Sequence, residues 1–282
     1  MKIQKKLAIA YFRTKLNLLT LIHKRSGGKA AFQIFCTPIV KYKGKPGLTF
    51  IAGKPASFLL NKQWIRGAEC NPVGHKTVLI LHGFSSSYHK FDHIAASFIE
   101  KNYRVLAFDA PAHGSSDGKM VNALDYRNMI IEIIRLYGPI NFFVAHSFGG
   151  LALCLALEKE KISSNVKLVL IAPATETTTA MDDALRFLNI TNINVKEALS
   201  NHIEKYSGYP PEWFSVRRAI QNIKAKVLWI HDYEDFVTPI EDVLKVQADK
   251  PENVEFYFTR GLGHQKIYRD SIVKQKIIEF LQ

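Results

Sequence analysis

The sequence predicts an α/β fold: a mostly parallel sheet with helices on both faces and a short cap insertion. Three observations predict it. From Val78 onward, apolar strand-like runs alternate with helical patterns, which is how a parallel sheet covered on both faces reads. Chemistry-bearing residues gather just after those runs, where strand carboxyl ends would lie. From Thr175 to about Asn222 the alternation stops, leaving fewer than 50 residues for an insertion.

The first 25 residues read as a helix, with Ser26-Gly27-Gly28 as its break. Helical spacing puts Ile3, Leu7, Tyr11, Leu18 and Ile22 along one stripe with lysines on its flanks. Two readings stay open: an interfacial membrane helix, or a basic helix packed on the rest of the protein. The start resembles a secretion signal, but Arg13 and Lys15 interrupt the apolar stretch and no small-residue cleavage site follows. Residues 41–67, rich in Gly, Pro and short β-prone pieces, read as antiparallel strands leading into the main sheet. The expected division is therefore 1–68, a basic helix and lead-in strands, and 69–282, the main domain with its cap at about 175–222.

The alternation supplies predicted strands at 78–81, 105–108, 142–145, 166–171, 227–230 and 254–258. Predicted helices lie between or after them at 91–101, 124–137, 148–159, 240–247 and 271–281. In the insertion, an amphipathic stretch through Met181, Leu185 and Leu188 precedes Tyr209-Pro210-Pro211-Glu212-Trp213-Phe214. Those aromatics either line a substrate pocket or pack the cap.

The most informative segment is Val144-Ala145-His146-Ser147-Phe148-Gly149-Gly150, a strand, a sharp turn carrying Ser147, then a helix. Such a turn holds a hydroxyl clear of the sheet beside a helix N-terminus, which favours developing negative charge. Small residues are needed two positions either side, and these are Ala145 and Gly149. A serine needs a base, and the base an orienting acid. Downstream come the acid-rich loop His231–Pro239 and then Gly261-Leu262-Gly263-His264, each after an apolar strand. The early turn His82-Gly83-Phe84 supplies the other need of acyl transfer, two N–H donors for an oxyanion. The backbone N–H groups of Phe84 and Phe148 are the candidates.

With His82-Gly83-Phe84, Phe108-Asp109-Ala110-Pro111-Ala112-His113-Gly114, His146-Ser147-Phe148-Gly149-Gly150, the Asp235 loop and Gly263-His264, the chain resembles the α/β-hydrolase superfamily from about Thr77 to its end. It is similar in wording to small bacterial esterase-type hydrolases. The resemblance implies Ser147, Asp235 and His264 as a catalytic triad, with Asp235 four residues before Pro239 where the family's acid lies and Asp232 in reserve. It also implies that Asp109 and His113 brace the floor of the site and that the insertion covers it. Ala145 replaces the usual first glycine of the turn, and Asp232 stands where many relatives have glycine. The expected activity is hydrolysis of a small carboxylic ester or thioester through an acyl-enzyme. The alternatives are a C–C or amide hydrolase with the same triad, or a low-turnover ligand-binding homologue.

Of 282 residues, 47% are hydrophobic, enough for a full α/β core. Residues 1–68 hold 14 Lys and Arg and no Asp or Glu, so the net charge of +13 resides in this arm. Anionic lipid or nucleic acid would suit such an arm, but no nucleic-acid-binding motif accompanies it. Cys36, Cys70 and Cys154 are odd in number and widely spaced, against a disulfide framework or a zinc site. His82, His89, His93 and Asp92 fit no metallohydrolase pattern, and no nucleotide-binding glycine loop is present. The expectation is an enzyme without cofactor or metal, at home in the cytoplasm and in peripheral contact with a membrane if residues 1–25 are interfacial.

Overall fold

The computed structural model describes residues 2–42, 44–159 and 165–282; for Lys2, Ile3 and Lys5 it describes the helical backbone only. The expected place of Ile3 in the apolar stripe therefore lies outside the described side chains. The chain divides into two compact units, one of Pro38–Thr175 and Val216–Gln282, the other of Met1–Thr37 and Glu176–Ser215.

The helices in chain order begin with α1 (Lys2–Ile22), α2 (Lys24–Phe35), α3 (Leu48–Ala52) and α4 (Asp92–Glu100). Next come α5 (Ala123–Tyr137), α6 (Phe148–Leu157), α7 (Thr177–Phe187) and α8 (Ile193–Ser207). The last are α9 (Val216–Ile220), α10 (Ile240–Ala248), α11 (Gly263–Lys266) and α12 (Ser271–Leu281).

The larger unit is built on an eight-stranded sheet of order β1-β2-β4-β3-β5-β6-β7-β8. The strands are β1 (Lys54–Leu60), β2 (Gln63–Cys70), β3 (Thr77–Leu81) and β4 (Arg104–Phe108), then β5 (Phe142–His146), β6 (Lys167–Ile171), β7 (Lys226–Asp232) and β8 (Val254–Thr259). The lead-in strands β1 and β2 pair antiparallel and join β4 antiparallel; all pairs from β4 to β8 are parallel. Every residue of β3 and β5 is buried. Helices on both faces of a parallel sheet demand such runs, whereas the edge strand β1 alternates buried and exposed. Helix α6 is apolar all round and buried from Gly149 to its end, as a helix enclosed by the sheet and other helices must be. Phe91, Ile94 and Phe98 bring the region of α4 onto one core cluster with Val273, Ile277 and Leu281 of α12.

In the smaller unit, α1 and α2 pack on each other and on α8, and α7 packs on α8. The expected break at Ser26-Gly27-Gly28 is corrected. The helix breaks at His23, whose extended backbone caps α2 while its ring accepts from the Ser26 N–H. Gly27 and Gly28 lie inside α2 because helices crowd them. A Cβ on Gly27 would sit 2.2 Å from Thr20 Oγ1, and one on Gly28 2.2 Å from the Ala198 carbonyl. Close crossing here outweighs the roughly 1 kcal/mol by which glycine disfavours a helix interior. Tyr209 and Trp213 stack on each other with ring centroids 4.0 Å apart. Among the described residues, no helix is long and apolar enough to cross a membrane.

Candidate active site

Strand carboxyl ends in the larger unit bring the site together. β5 delivers His146 and then Ser147, whose φ of 54° lies in the left-handed region. Such a conformation in a serine is held only where its surroundings over-determine it. Here the Ser147 N–H donates to the Ile171 carbonyl at 3.1 Å, and its own carbonyl accepts from Gly150 and Ala174. Gly149 has no room for a side chain, since a Cβ would lie 2.7 Å from the His82 carbonyl. Ala145, at the position two before the serine, is buried on β5 between Leu81 and Leu170.

His264, in α11 after β8, turns its Nε2 to Ser147 Oγ at 3.0 Å and its Nδ1 to Asp235 Oδ2 at 2.7 Å. Asp235 is buried after the end of β7. Its Oδ1 accepts from the N–H groups of Val237 and Thr238, and its Oδ2 accepts from the Thr238 hydroxyl as well as from His264. Burial pushes this carboxyl up, but the bond to and charge of His264, with the two N–H donors, outweigh it and hold the acid below its usual value. With Asp235 ionised, the His264 Nδ1 carries the proton and Nε2 is free to accept the serine's.

Asp232 takes a different position. Its Oδ1 accepts from the Glu234 N–H, and its Oδ2 accepts from the Thr259 hydroxyl and the Leu262 N–H. It ties the β7 loop to β8 and the His264 turn rather than meeting the His264 ring.

The early loop lies against the serine. A Cβ on Gly83 would stand 2.9 Å from Ser147 Cβ and 3.0 Å from His146 Nδ1, so only glycine admits this approach. The Phe84 and Phe148 rings meet with centroids 5.7 Å apart. His82 holds the loop: its Nδ1 donates to the Gly83 carbonyl and its Nε2 accepts from the Ala110 N–H. His113 adds a second tie, donating from Nδ1 to the Pro111 carbonyl and accepting at Nε2 from the Ser85 N–H. Asp109 accepts from the N–H and hydroxyl of Ser115. Burial lowers the pKa of His82, and that of His113 to about 3, so both stay neutral.

Three participants carried no assignment from the sequence. The Thr238 hydroxyl donates to Asp235 and lies 3.3 Å from His264 Nδ1; its spacing three residues after Asp235, as in an Asx-type turn, was the available signal. The His146 ring donates from Nε2 to the His264 carbonyl at 3.0 Å. His231 donates to the Thr238 carbonyl at 2.7 Å. Nothing local in the sequence marks either contact.

The other candidate histidines have ordinary partners. His93 donates to the Tyr268 carbonyl, and His89 lies against the Tyr88 and Phe50 rings. Among the described residues, no three His, Cys, Asp or Glu side chains are grouped to hold a metal. Cys36, Cys70 and Cys154 are buried.

A family model described as serine aminopeptidase, S33, matches residues 74–209. A Mycoplasma pneumoniae protein that carries an esterase/lipase name is 25% identical over 229 residues, 67% of this chain and 82% of that protein. Among solved structures, an esterase of Pyrococcus furiosus superposes with a TM-score of 0.64 at 20% identity, over 87% of this chain and 97% of the other. The thioesterase domain of the curacin biosynthetic pathway superposes with a TM-score of 0.59 at 15% identity, over 82% and 99%. The fold is that of the α/β hydrolases, and the three comparisons together support a place in that superfamily of enzymes. Within it, the likeness is to hydrolases of the esterase/lipase kind.

Proposed function

We propose that Ser147, His264 and Asp235 form a catalytic triad that hydrolyses a small carboxylic ester or thioester through an acyl-enzyme. The observation that carries this reading is the unbroken hydrogen-bond chain from Asp235 through His264 to a serine held at positive φ. Ser147 Oγ bonds to the substrate carbonyl carbon as its proton passes to His264 Nε2, and the carbonyl π pair moves onto oxygen. Asp235 keeps the ring in the accepting tautomer and stabilises the imidazolium. The backbone N–H groups of Phe84 and Phe148 receive the oxyanion. Phe148 is the first residue of α6, so its N–H has no carbonyl one turn back to bond. Collapse expels the alcohol or thiol, which takes the proton from Nε2. Water then repeats the sequence on the acyl-enzyme and returns the proton to Ser147.

The serine aminopeptidase match over residues 74–209 favours amide hydrolysis as the second reading. The test is a chain-length series of p-nitrophenyl esters and acyl thioesters beside aminoacyl p-nitroanilides, with Ser147→Ala as control. Ester or thioester turnover that vanishes in the control supports the first reading. Turnover confined to the anilides supports the second. Failure of a fluorophosphonate to label Ser147 would instead make the chain a ligand-binding homologue.

A further inference from the structure

Helix α1 has two apolar faces, and its own unit buries one. At roughly 100° per residue, Ile9, Phe12, Leu16 and Thr20 share a side. Leu16 and Thr20 are buried, and the helix packs on α2 and α8. Leu7, Tyr11, Leu18, Leu21 and Ile22 fall within an arc of about 100° on the opposite side. These five are between 52% and 82% exposed. Exposed Lys6 and Arg13 border the arc on one edge and exposed Lys15 on the other.

The stripe ends beside a basic cleft. Leu21 and Ile22 lead directly into Lys24 and Arg25, which with Lys29 of α2 and Asn201, His202 and Lys205 of α8 line a cleft of about 400 Å³. The close crossing of α2 and α8 at Gly28 and Ala198 builds it. Lys24 lies 3.9 Å from Glu197, with both side chains exposed. Among the described residues, Arg25, Lys29 and Lys205 have no carboxylate within ion-pair distance. On α7, Asp182 pairs with Lys196 and Asp183 with Arg186. Burial, with the charges of Lys29 and Lys205, lowers the pKa of His202, so the ring offers a neutral donor beside the cations.

We propose that the outer face of α1 and this cleft form a docking surface for an anionic phospholipid membrane, with lipid phosphates seated among Arg25, Lys29 and Lys205. Apolar side chains beside unpaired cations match a surface whose hydrocarbon lies just beneath a layer of phosphates. Nucleic acid supplies the phosphates without the hydrocarbon. A second copy docking stripe to stripe would bring Lys6, Arg13 and Lys15 against like charges. The proposal stands apart from the triad reading, since none of these residues touches Ser147, His264 or Asp235.

The experiment is co-sedimentation of the full chain with vesicles of phosphatidylglycerol and phosphatidylcholine in equal parts, and with phosphatidylcholine alone. Binding to the mixed vesicles should weaken as salt is raised, and the pure phosphatidylcholine vesicles should bind far less. Lys29→Gln and Lys205→Gln should each cost about fivefold in partitioning, the worth of one cation near a charged membrane surface. Leu21→Gln should cost about tenfold, from lost apolar burial. Soluble-ester hydrolysis should be unchanged in these variants, and Ser147→Ala should bind vesicles as the native chain does. A failed triad would therefore leave the vesicle result intact, and a failed surface would leave catalysis intact. No binding at low salt, or equal binding to both vesicle types, overturns the proposal. So does displacement by inorganic phosphate alone, which would make the cleft a site for free anions. A vesicle-free dimer abolished by Leu21→Gln would assign the stripe to a second copy and overturn it too.

Discussion

The His146 ring donates a hydrogen bond from Nε2 to the backbone carbonyl of His264 at 3.0 Å. The residue before Ser147 thus holds the turn that presents the His264 ring to Ser147. The acceptor is a carbonyl, so Nε2 must carry the proton, which fits a ring whose pKa burial pushes well down. His146→Leu should lower kcat roughly tenfold to hundredfold with little change in KM, because the base loses its placement rather than its chemistry. His146→Gln retains a donor and should recover part of the loss. Steady-state kinetics of the two variants check this, and equal losses in both would remove the positioning role.

The two aspartates separate by what they touch. Asp235→Asn should depress kcat by about 10⁴-fold, by favouring the wrong tautomer of His264. Asp232→Asn should cost about 1–3 kcal/mol of stability, because the donors of Thr259, Glu234 and Leu262 lose a charged acceptor. Kinetics beside urea melts of both variants decide the matter. The reverse pattern would transfer the acid's role to Asp232.

Gly83→Ala should lower kcat while leaving a folded protein. The added methyl would stand 2.9 Å from Ser147 Cβ, so the Phe84 segment must retreat from the serine. The loss expected is that of one oxyanion donor, about 10²–10³-fold. Normal turnover in this variant would remove the Phe84 N–H from the scheme.

Stability should fall over the acid range. His113 binds a proton in the fold only near pH 3, against 6.5 when free. Between those values the unfolded chain binds more protons, so stability is fully present above 6.5 and is lost as pH falls toward 3. His82, His146 and His231 are shifted in the same direction. Each contributes up to about 1.4 kcal/mol per pH unit within its window. Urea midpoints measured from about pH 7 to about pH 5 should decline steeply. A flat series would show that these rings take up protons while folded.

The alternation from Val78 onward was enough to determine the parallel sheet, because a strand buried on both faces must be apolar along its length, as β3 and β5 are. The turn around Ser147 was equally legible, since crossing from strand to helix beside the His82 loop admits glycine at 149. These are local demands, written in neighbouring residues. Tertiary packing decided the rest. Ser26-Gly27-Gly28 reads as a helix break in isolation, yet Thr20 and Ala198 crowd the glycines into a helix interior. Asp232 and Asp235 share one loop, and only the approach of Thr259, Leu262 and His264 from β8 and beyond sorts their partners. Periodicity found an apolar stripe on α1 but not which of its two faces is covered. Burial depends on the surface that arrives, and α2 and α8 arrive on the side of Leu16, leaving Leu7, Tyr11 and Leu18 in water.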